Sequence, residues 1–534
     1  MNSKSNTING AESLVHALID SGIEVCFSNP GTSEMHFVAA LDKIAGMRCV
    51  LGLFEGVVTG AADGYWRMKD KPAVTLLHLG PGLGNGLANL HNAKKAQSGI
   101  VNIVGEHATY HVEHDAPLTA DIEGIARPVS HWVKTSKSSS EVAGHCVEAI
   151  SAACTYPGQV ASLILPANTA WDTANPAEAK RSDNEKSTPA QLGSATPVAD
   201  QRIESIADIL KRGEPTAFII TGHALREKPL AIASQIATAH GAVLLAQTSN
   251  ARLERGAGRV AIESVPYPVD AAVKRLAGFK HLICVGAKAP VAFFAYPDKP
   301  STLWPEDASI HVLTHPHEDS VAALDALADR LKVADTSVQL QAATVPALPG
   351  ACALDSAVIA QIVANLIPEN AIVVDEGITA SRDMAMPTAG SAPHDWLQIC
   401  GGSIGIGFPL AIGAAVACPE RKVVALQADG SGMYTLQGLW TQARENLDVT
   451  TIVLSNRAYA ILKYELRNVG ATSGEEAGAI AHDMMELNRP ELDWVSLARG
   501  MGVEAAKVTD STGLIKQLRA GLASEGPYLI EAVF

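Results

Sequence analysis

The chain has 534 residues, too many for one ordinary hydrophobic core, so its length predicts two to four domains and most simply three. Its composition, 47% hydrophobic and 18% charged with many glycines, is that of a globular protein in which helices pack closely on strands. The net charge of −15, without a long Lys/Arg run, argues against nucleic acid as the main partner.

Three features predict where the protein is located. Residues 1–10 are polar and lack the apolar core of a signal peptide. The eight cysteines form no CxxC pair, so they indicate neither a zinc site nor a disulfide framework. The uncharged stretch 396–419 is broken by glycines, and its continuous apolar part, 408–418, is too short to cross a bilayer. We therefore expect a cytoplasmic protein without a membrane span.

Two irregular stretches, residues 172–200 and 335–350, predict linkers between domains at 1–171, 201–334 and 351–534. Within each domain, short apolar runs alternate with helical patterns, which predicts parallel strands covered on both faces. The runs are 25–27, 73–79, 100–104, 162–165, 216–221, 242–246, 281–285, 371–375, 422–427, 450–455 and 528–533. The predicted fold class is α/β with three doubly wound parallel-sheet domains, whose ligands should lie at the carboxyl ends of strands.

In the first domain, polar side chains follow the predicted strands. Thr32 lies in the loop Asn-Pro-Gly-Thr-Ser-Glu after the first strand, and His78 ends the second strand. Glu55 opens a mostly apolar helical pattern, where the helix dipole alone would also favour an acid. Histidine suits proton transfer near neutral pH, but a histidine packed at a strand end is the alternative for His78.

Glu106 follows the third predicted strand and precedes His107, His111 and His114. The histidine spacing would suit one face of a helix, but the strand end and Pro117 argue against a helix here, and the spacing matches no zinc motif. We expect a loop at the rim of an active site, with an ordinary solvated loop as the alternative.

In the third domain, the strand 422–427 leads into Ala428 and a glycine-rich turn, and a helical pattern runs from about residue 434 to 446. Such a turn before a helix is an anion site. Asn456 ends the next strand, 27 residues after Asp429 of the turn, so the two side chains can provide neighbouring oxygen ligands for Mg²⁺. Each feature alone is more simply a turn or a helix cap, but their combination favours a metal-bound diphosphate.

Asp429, Gly430 and Ser431 followed by Asn456 resemble the cofactor signature of thiamine-diphosphate-dependent enzymes, with Ala428 where that family usually has Gly. The resemblance implies that Mg²⁺ is bound by Asp429, Asn456 and the carbonyl of Ala458. It also implies further cofactor contacts from Gly430, Ser431, Tyr459 and a second loop that contains Gly377, Ile378 and Thr379.

Glu55 and the Ala-Ala-Asp-Gly-Tyr further along its helix resemble the pyrimidine-binding domain of the decarboxylase and acetolactate synthase group. This implies that Glu55 hydrogen-bonds a ring nitrogen of the aminopyrimidine. Domain 1–171 would then be pyrimidine-binding, 201–334 central and 351–534 diphosphate-binding. Because the glutamate and the metal come from different chains in that family, a homodimer is the smallest active unit implied, and a homotetramer is expected.

The substrate-side features resemble benzoylformate decarboxylases most closely. Those enzymes have Ser where this chain has Thr32 and a catalytic His where it has His78, and Ile404 falls where a bulky apolar residue bends the cofactor. Their second active-site His has no counterpart in residues 289–296, which contain aromatic residues instead. Acetolactate synthases have Gln at the position of Glu106, which we therefore expect near the substrate.

The resemblance implies an enzyme that cleaves or forms a carbon–carbon bond next to the carbonyl of a 2-oxo acid, with an aldehyde or a second oxo acid as an optional acceptor. Glu55 would activate the cofactor, and His78, Thr32 and Glu106 would handle substrate protons. An acetolactate synthase large-subunit-type carboligase is one alternative. A non-catalytic scaffold or regulatory subunit is another, motivated by Ala428 and the missing second His. FAD is not expected, since residues 221–224 form only a lone glycine turn.

Overall fold

The computed structural model describes residues 7–174, 190–471 and 477–534. Three sheets with helices around them form the described chain, as the predicted fold class requires. Most of the predicted linker 172–200 lies outside the described residues, whereas the second one, 335–350, contains no helix or named strand. No described helix is long and apolar enough to span a membrane.

The N-terminal sheet has strands β1 (Val25–Ser28), β2 (Arg48–Leu51), β3 (Ala73–Leu77), β4 (Ile100–Glu106), β5 (Trp132–Thr135) and β6 (Val160–Pro166). Its helices are α1 (Gly10–Asp20), α2 (Met35–Lys43), α3 (Glu55–Lys69), α4 (Leu79–Ala96), α5 (Ile122–Ala126), α6 (Val142–Ala153) and α7 (Ala167–Trp171). The strands are all parallel, in the order β2-β1-β3-β4-β6-β5. The ends of β1, β3 and β4 therefore lie side by side.

The central part has strands β7 (Thr216–Ile220), β8 (Val243–Ala246), β9 (Leu253–Arg255), β10 (Glu263–Ser264), β11 (His281–Val285) and β12 (Ser309–Thr314). Its helices are α8 (Asp200–Lys211), α9 (Glu227–His240), α10 (Val269–Leu276) and α11 (Ser320–Leu331). Five of these strands form a parallel sheet in the order β10-β8-β7-β11-β12. Strand β9 does not join it.

The C-terminal sheet has strands β13 (Ile372–Glu376), β14 (His394–Gln398), β15 (Val423–Ala428), β16 (Val449–Ser455), β17 (Glu504–Val508) and β18 (Tyr528–Val533). Its helices are α12 (Ser356–Leu366), α13 (Gly407–Ala417), α14 (Asp429–Gly432), α15 (Gly438–Arg444), α16 (Ala460–Asn468), α17 (Ala479–Asp483), α18 (Trp494–Gly500) and α19 (Ser511–Ala523). The order is β17-β18-β16-β15-β13-β14-β9.

Strand β9 departs from the predicted division, because it lies within residues 201–334 but pairs antiparallel with β14 at the edge of the C-terminal sheet. Central and C-terminal residues also share one apolar core. The domain limits themselves stay a prediction. The predicted helix at 434–446 is wrong in its start: α14 forms first, turns follow, and α15 begins only at Gly438. Glycines at 430, 432 and 438 disfavour one continuous helix here.

Helices α3 and α13 pack closely because glycines lie at their contact. A Cβ atom on Gly64 would overlap the carbonyl group of Leu410, and one on Gly413 would overlap the carbonyl oxygen of Ala61. Most buried apolar side chains of both helices belong to one core that joins the N-terminal and C-terminal sheets. This contact fixes the start of α3, where Glu55 lies, relative to the loop that precedes α13.

Candidate active site

His78 is held by a buried carboxylate that the sequence analysis did not single out. The Nδ1 atom of His78 lies 2.8 Å from Oε2 of Glu34, whose side chain is completely buried. Glu34 also accepts hydrogen bonds from the Gly31 N–H at 2.7 Å and the Ser33 hydroxyl at 2.8 Å. The His78 ring remains one-quarter exposed. The contact with Glu34 therefore leaves Nε2 as the ring nitrogen available to a ligand.

Glycines hold this pair in place. A Cβ on Gly31 would overlap the His78 ring, and one on Gly105 would overlap the Glu34 carboxylate. The capping-box spacing, an acid three residues after the residue that precedes the turn, was a signal for Glu34 in the sequence. Thr32 opens the same turn and is exposed, so its side chain is accessible beside the pair.

Glu55 lies next to His78 in space. It is the first residue of α3, only 7% exposed, and its Oε2 accepts a hydrogen bond from the side-chain amide of Asn85 at 2.9 Å. A Cβ placed on Gly82 would lie 2.8 Å from Oε1 of Glu55 and 3.3 Å from Cβ of His78. The two predicted catalytic side chains therefore both lie beside Gly82, at the start of α4.

Glu106 ends β4, the neighbour of β3, and is 9% exposed. Burial raises its pKa, although the His107 N–H donates to Oε1 at 2.7 Å and opposes the shift. The three imidazoles that follow contact one another, with ring centroids 5.4 and 5.6 Å apart. In the described part of the chain no three or more His, Cys, Asp or Glu side chains are grouped so that they could hold a metal ion, and this includes these histidines.

The structure brings Asp429 to the turn that contains Asn456, as predicted from their places after neighbouring strands β15 and β16. The Asp429 carboxylate is buried, and its Oδ2 accepts from the Arg457 N–H at 2.6 Å while Oδ1 accepts from the Gly430 N–H at 2.8 Å. The Asn456 side-chain oxygen accepts from the Ala458 N–H at 3.1 Å. One carboxylate and one amide oxygen thus face a single short turn.

The residues around Asp429 fit a divalent cation. Burial raises the pKa of Asp429 to about 6, because a buried anion is unfavourable without a positive partner. Among the described residues no cationic side chain pairs with Asp429, and the nearby Arg457 pairs with Glu491 instead. A hard cation with oxygen ligands would supply the missing positive charge, and Mg²⁺ takes such ligands.

The backbone explains why Ala428 can replace glycine. Ala428 has φ −70°, an ordinary value for any residue, so this turn does not need glycine there. At position 430 a Cβ would lie 2.5 Å from the ring of Tyr459, so a larger residue would force that ring to move. Ser431 accepts a hydrogen bond from the Gln427 amide at 2.7 Å. The substitution at 428 therefore gives no structural reason to doubt the cofactor turn.

The second predicted loop, residues 377–379, is strained at Ile378. Its φ of +49° is rare for a β-branched residue, and Arg457 in the Asn456 turn and Leu79 after His78 have φ of +56° and +47°. Such strain costs of order 1–3 kcal/mol per residue and clusters at functional sites. Ile378 is itself a predicted site residue, and Leu79 and Arg457 directly follow the predicted site residues His78 and Asn456.

Glu376, just before this loop, sets the position of Ile404. Its buried carboxylate accepts hydrogen bonds from the N–H groups of Gly405 at 2.6 Å, Ile406 at 3.1 Å and Gly407 at 2.7 Å. The Gln427 amide donates a further bond at 2.9 Å. Glu376 therefore ties the strand end of the second loop to the start of α13, a role that the sequence pattern did not reveal.

Ile404 lines a cavity of about 1510 Å³ between the central and C-terminal sheets. The cavity wall also contains predicted cofactor residues and the aromatic segment of the central part: Ile378, Tyr459, Tyr434, Tyr267, Phe293 and Phe294. Phe293 and Phe294 are 54% and 52% exposed, so they are not core residues. Glu55, His78, Thr32 and Glu106 do not line this cavity within one chain. The predicted site residues thus form two groups: the N-terminal group, which consists of Glu55, His78, Thr32 and Glu106, and the cofactor residues of the C-terminal part, some of which line the cavity.

The chain has three α/β sheets and places a buried carboxylate and an amide beside a glycine turn. These features define a class of enzymes that bind a cofactor with a diphosphate group. Comparison with family profiles narrows this class. Residues 8–125 match "Thiamine pyrophosphate enzyme, N-terminal TPP binding domain", and residues 383–532 match the corresponding C-terminal TPP binding domain.

Comparison with individual proteins supports the same family. IlvX of Mycobacterium tuberculosis, provisionally named an acetolactate synthase large subunit, is 48% identical over 98% of this chain and 99% of its own. Benzoylformate decarboxylase of Pseudomonas aeruginosa is 27% identical, with 96% of each chain covered. The structure of the 4-hydroxybenzoylformate decarboxylase of Rhodococcus jostii has a TM-score of 0.85 at 23% identity, covering 98% of this chain and 99% of its own.

The chain therefore belongs to the family of thiamine-pyrophosphate-dependent enzymes. It is an enzyme whose cofactor is thiamine diphosphate, and its chemistry is that of the 2-oxo acid decarboxylases and carboligases. The predicted family, enzyme class and organic cofactor are confirmed.

Proposed function

We propose that the protein is a Mg²⁺- and thiamine-diphosphate-dependent decarboxylase of 2-oxo acids that carry an aromatic side chain. The observation that carries this proposal is the aromatic wall of the cavity beside Ile404. Phe293 and Phe294 contact edge to face at 4.9 Å, and Tyr267 lies 5.5 Å from Phe293. Half-exposed aromatic rings bind a flat apolar group through area burial and ring–ring contact.

Cofactor binding is assigned to the residues that follow the C-terminal strands. Asp429, Asn456 and the carbonyl of Ala458 would hold Mg²⁺ against the diphosphate. The diphosphate would be bound by the turn and the second loop, with Gly430, Ser431, Gly377, Ile378 and Thr379, and Tyr459 would pack beside it. When bound, thiamine diphosphate supplies the nucleophilic carbon and the electron sink for breaking or making the carbon–carbon bond.

The predicted site residues of the N-terminal part would bind the cofactor's pyrimidine ring or transfer protons at the substrate. Glu55 would hydrogen-bond the aminopyrimidine, a task suited to a buried carboxylate at a helix start. His78, oriented by Glu34, would transfer a proton at the substrate through Nε2, and Thr32 would stand beside it. Glu106, whose pKa burial raises, would remain protonated more readily than an ordinary acid and could donate in place of the missing second His.

The active unit is proposed to be a homodimer, and the assembly a homotetramer located in the cytoplasm. The homodimer is supported by the cavity lining, since Glu55, His78, Thr32 and Glu106 do not line the cavity of their own chain. A second copy that brings its N-terminal group to this cavity would complete the site. Mass measurement in solution tests this proposal, and an active monomer would contradict it.

Carboligation is the second candidate, as in an acetolactate synthase large subunit, because IlvX is the relative with 48% identity and residues 289–296 lack a second His. A weaker route for protonating the carbon that CO₂ has left would leave time for that carbon to attack a second carbonyl. Screening aryl and alkyl 2-oxo acids for CO₂ release, with and without an aldehyde, separates the two. Free aldehyde as the product supports decarboxylation, and a hydroxyketone supports carboligation.

The Glu55→Gln variant tests the enzyme assignment and the non-catalytic alternative together. We expect turnover to be lost while calorimetry still detects thiamine diphosphate binding with Mg²⁺, because the diphosphate contacts lie elsewhere. The matched control is Glu12→Gln in the first turn of α1, another largely buried glutamate, which contacts Asn9 and Lys43 instead of a predicted site residue. Unchanged turnover in Glu55→Gln would refute its role. Absence of cofactor binding in the unaltered protein would favour the scaffold.

A further inference from the structure

Glu465 carries a carboxylate into the wall of the large cavity, beside the aromatic residues. It lies on α16, one helical turn after Ile461, and both residues line the cavity. Its Oε1 accepts a hydrogen bond from the Tyr267 hydroxyl at 3.1 Å. Its Oε2 is shielded from solvent and accepts no hydrogen bond from any residue that the structure describes. The carboxylate thus has unused acceptor capacity in a place where a ligand would lie.

The surroundings of Glu465 are aromatic. The Arg382 guanidinium lies over the rings of Tyr267 at 4.8 Å and Tyr464 at 5.3 Å. The Tyr296 hydroxyl lies near Glu465 and Tyr267, and burial together with the neighbouring Glu465 carboxylate raises its pKa, while Oε2 itself has no hydrogen-bond partner among the described residues. Burial raises the pKa of Tyr267, so its hydroxyl stays a donor.

If Glu465 only anchored Tyr267, that role would explain the hydrogen bond to Oε1 but not the position of Oε2. An anchor needs one acceptor oxygen, and a neutral glutamine would supply it. A buried acceptor without a partner costs of order 1–3 kcal/mol, and more when it is charged. Buried polar groups without a partner are uncommon in native proteins and need an explanation. A donor on the bound substrate would satisfy Oε2.

We propose that Glu465 is a specificity-determining residue that accepts a hydrogen bond from a hydroxyl group at the far end of an aromatic 2-oxo acid. This rests on the proposed function, since the aromatic ring would lie against Phe293 and Phe294 and direct its substituent toward α16. A neutral hydroxyl fits better than a cationic end, because the Arg382 guanidinium beside Tyr267 would repel a second positive charge.

The test compares 4-hydroxybenzoylformate with benzoylformate as substrates of the holoenzyme. In the unaltered protein we expect kcat/KM to favour the hydroxylated substrate by about 10- to 100-fold, the range for a hydrogen bond to a charged group. Glu465→Leu should reduce this ratio to within about threefold. Glu465→Gln, which keeps an acceptor oxygen, should retain part of it. Glu306→Leu, an exposed acid outside the cavity, should leave the ratio unchanged.

Binding of mandelate and 4-hydroxymandelate, which lack the reactive carbonyl, provides a readout without turnover. A preference for 4-hydroxymandelate that Glu465→Leu removes supports the inference, even if neither oxo acid is decarboxylated and the proposed function fails. Equal ratios in the unaltered protein and Glu465→Leu, in both turnover and binding, would overturn it. A preference for 4-aminomethylbenzoylformate over the hydroxylated substrate would overturn it as well.

Discussion

Replacing Glu34 by Gln should slow the enzyme without unfolding it. Oε2 of Glu34 accepts a hydrogen bond from the Gly31 N–H and contacts Nδ1 of His78, while Oε1 accepts one from the Ser33 hydroxyl. A glutamine can place its oxygen where Oε2 lies and its NH₂ group where Oε1 lies, since the Ser33 hydroxyl can accept as well as donate a hydrogen bond. The shape and the hydrogen bonds are kept, and only the negative charge next to His78 is lost.

The magnitude follows from that lost charge. Hydrogen bonds to charged groups contribute about 1.5–3 kcal/mol against about 0.5–1.5 for neutral pairs, a difference of about 1–2 kcal/mol. If His78 carries a proton in the rate-limiting transition state, kcat should fall about 5- to 30-fold. Steady-state CO₂ release with an aromatic 2-oxo acid measures kcat, and calorimetry should find cofactor affinity unchanged.

The control is Glu12→Gln, because Glu12 occupies the same capping-box position at α1 but contacts Lys43 instead of a site residue. We expect little change in kcat for this variant. A kcat for Glu34→Gln within twofold of the unaltered enzyme would refute the positioning role of Glu34. An equal loss in both variants would show that general stability, and not the contact with His78, determines the rate.

Three further predictions follow from other contacts. Glu106→Gln should remove an alkaline limb of the kcat profile, because raising the pH through the elevated pKa of Glu106 deprotonates the donor; identical profiles would exclude that role. Gly413→Ala should lower the unfolding midpoint, at a cost of about 1–3 kcal/mol, since its Cβ would overlap the Ala61 carbonyl; Gly144→Ala, in open space on a helix, should not lower it. Asp429→Asn should weaken Mg²⁺-dependent cofactor binding in calorimetry, and retained affinity would contradict its assignment as a ligand.

Most strands inside the sheets were predictable, whereas the interior strand β14 and several edge strands were not. Strands β3, β4 and β15 are buried on both faces and read as continuous apolar runs. The edge strands β2 and β17 are partly exposed, so their sequences lack that pattern. The helix predicted from residue 434 failed for another reason, since the helical spacing of apolar residues continues through residues 433–437, which form turns between α14 and α15.

The sequence by itself determined the fold class, the cofactor family and the meeting of Asp429 with Asn456, because residues that follow neighbouring parallel strands must emerge at the same sheet edge. Tertiary structure alone decided that Glu34 meets His78, 44 residues away, and that Glu376 fixes the loop before α13. It also decided that Phe293, Phe294 and Glu465 line a cavity. The physical reason is that local patterns encode burial and periodicity, whereas contacts between loops depend on how separate elements pack.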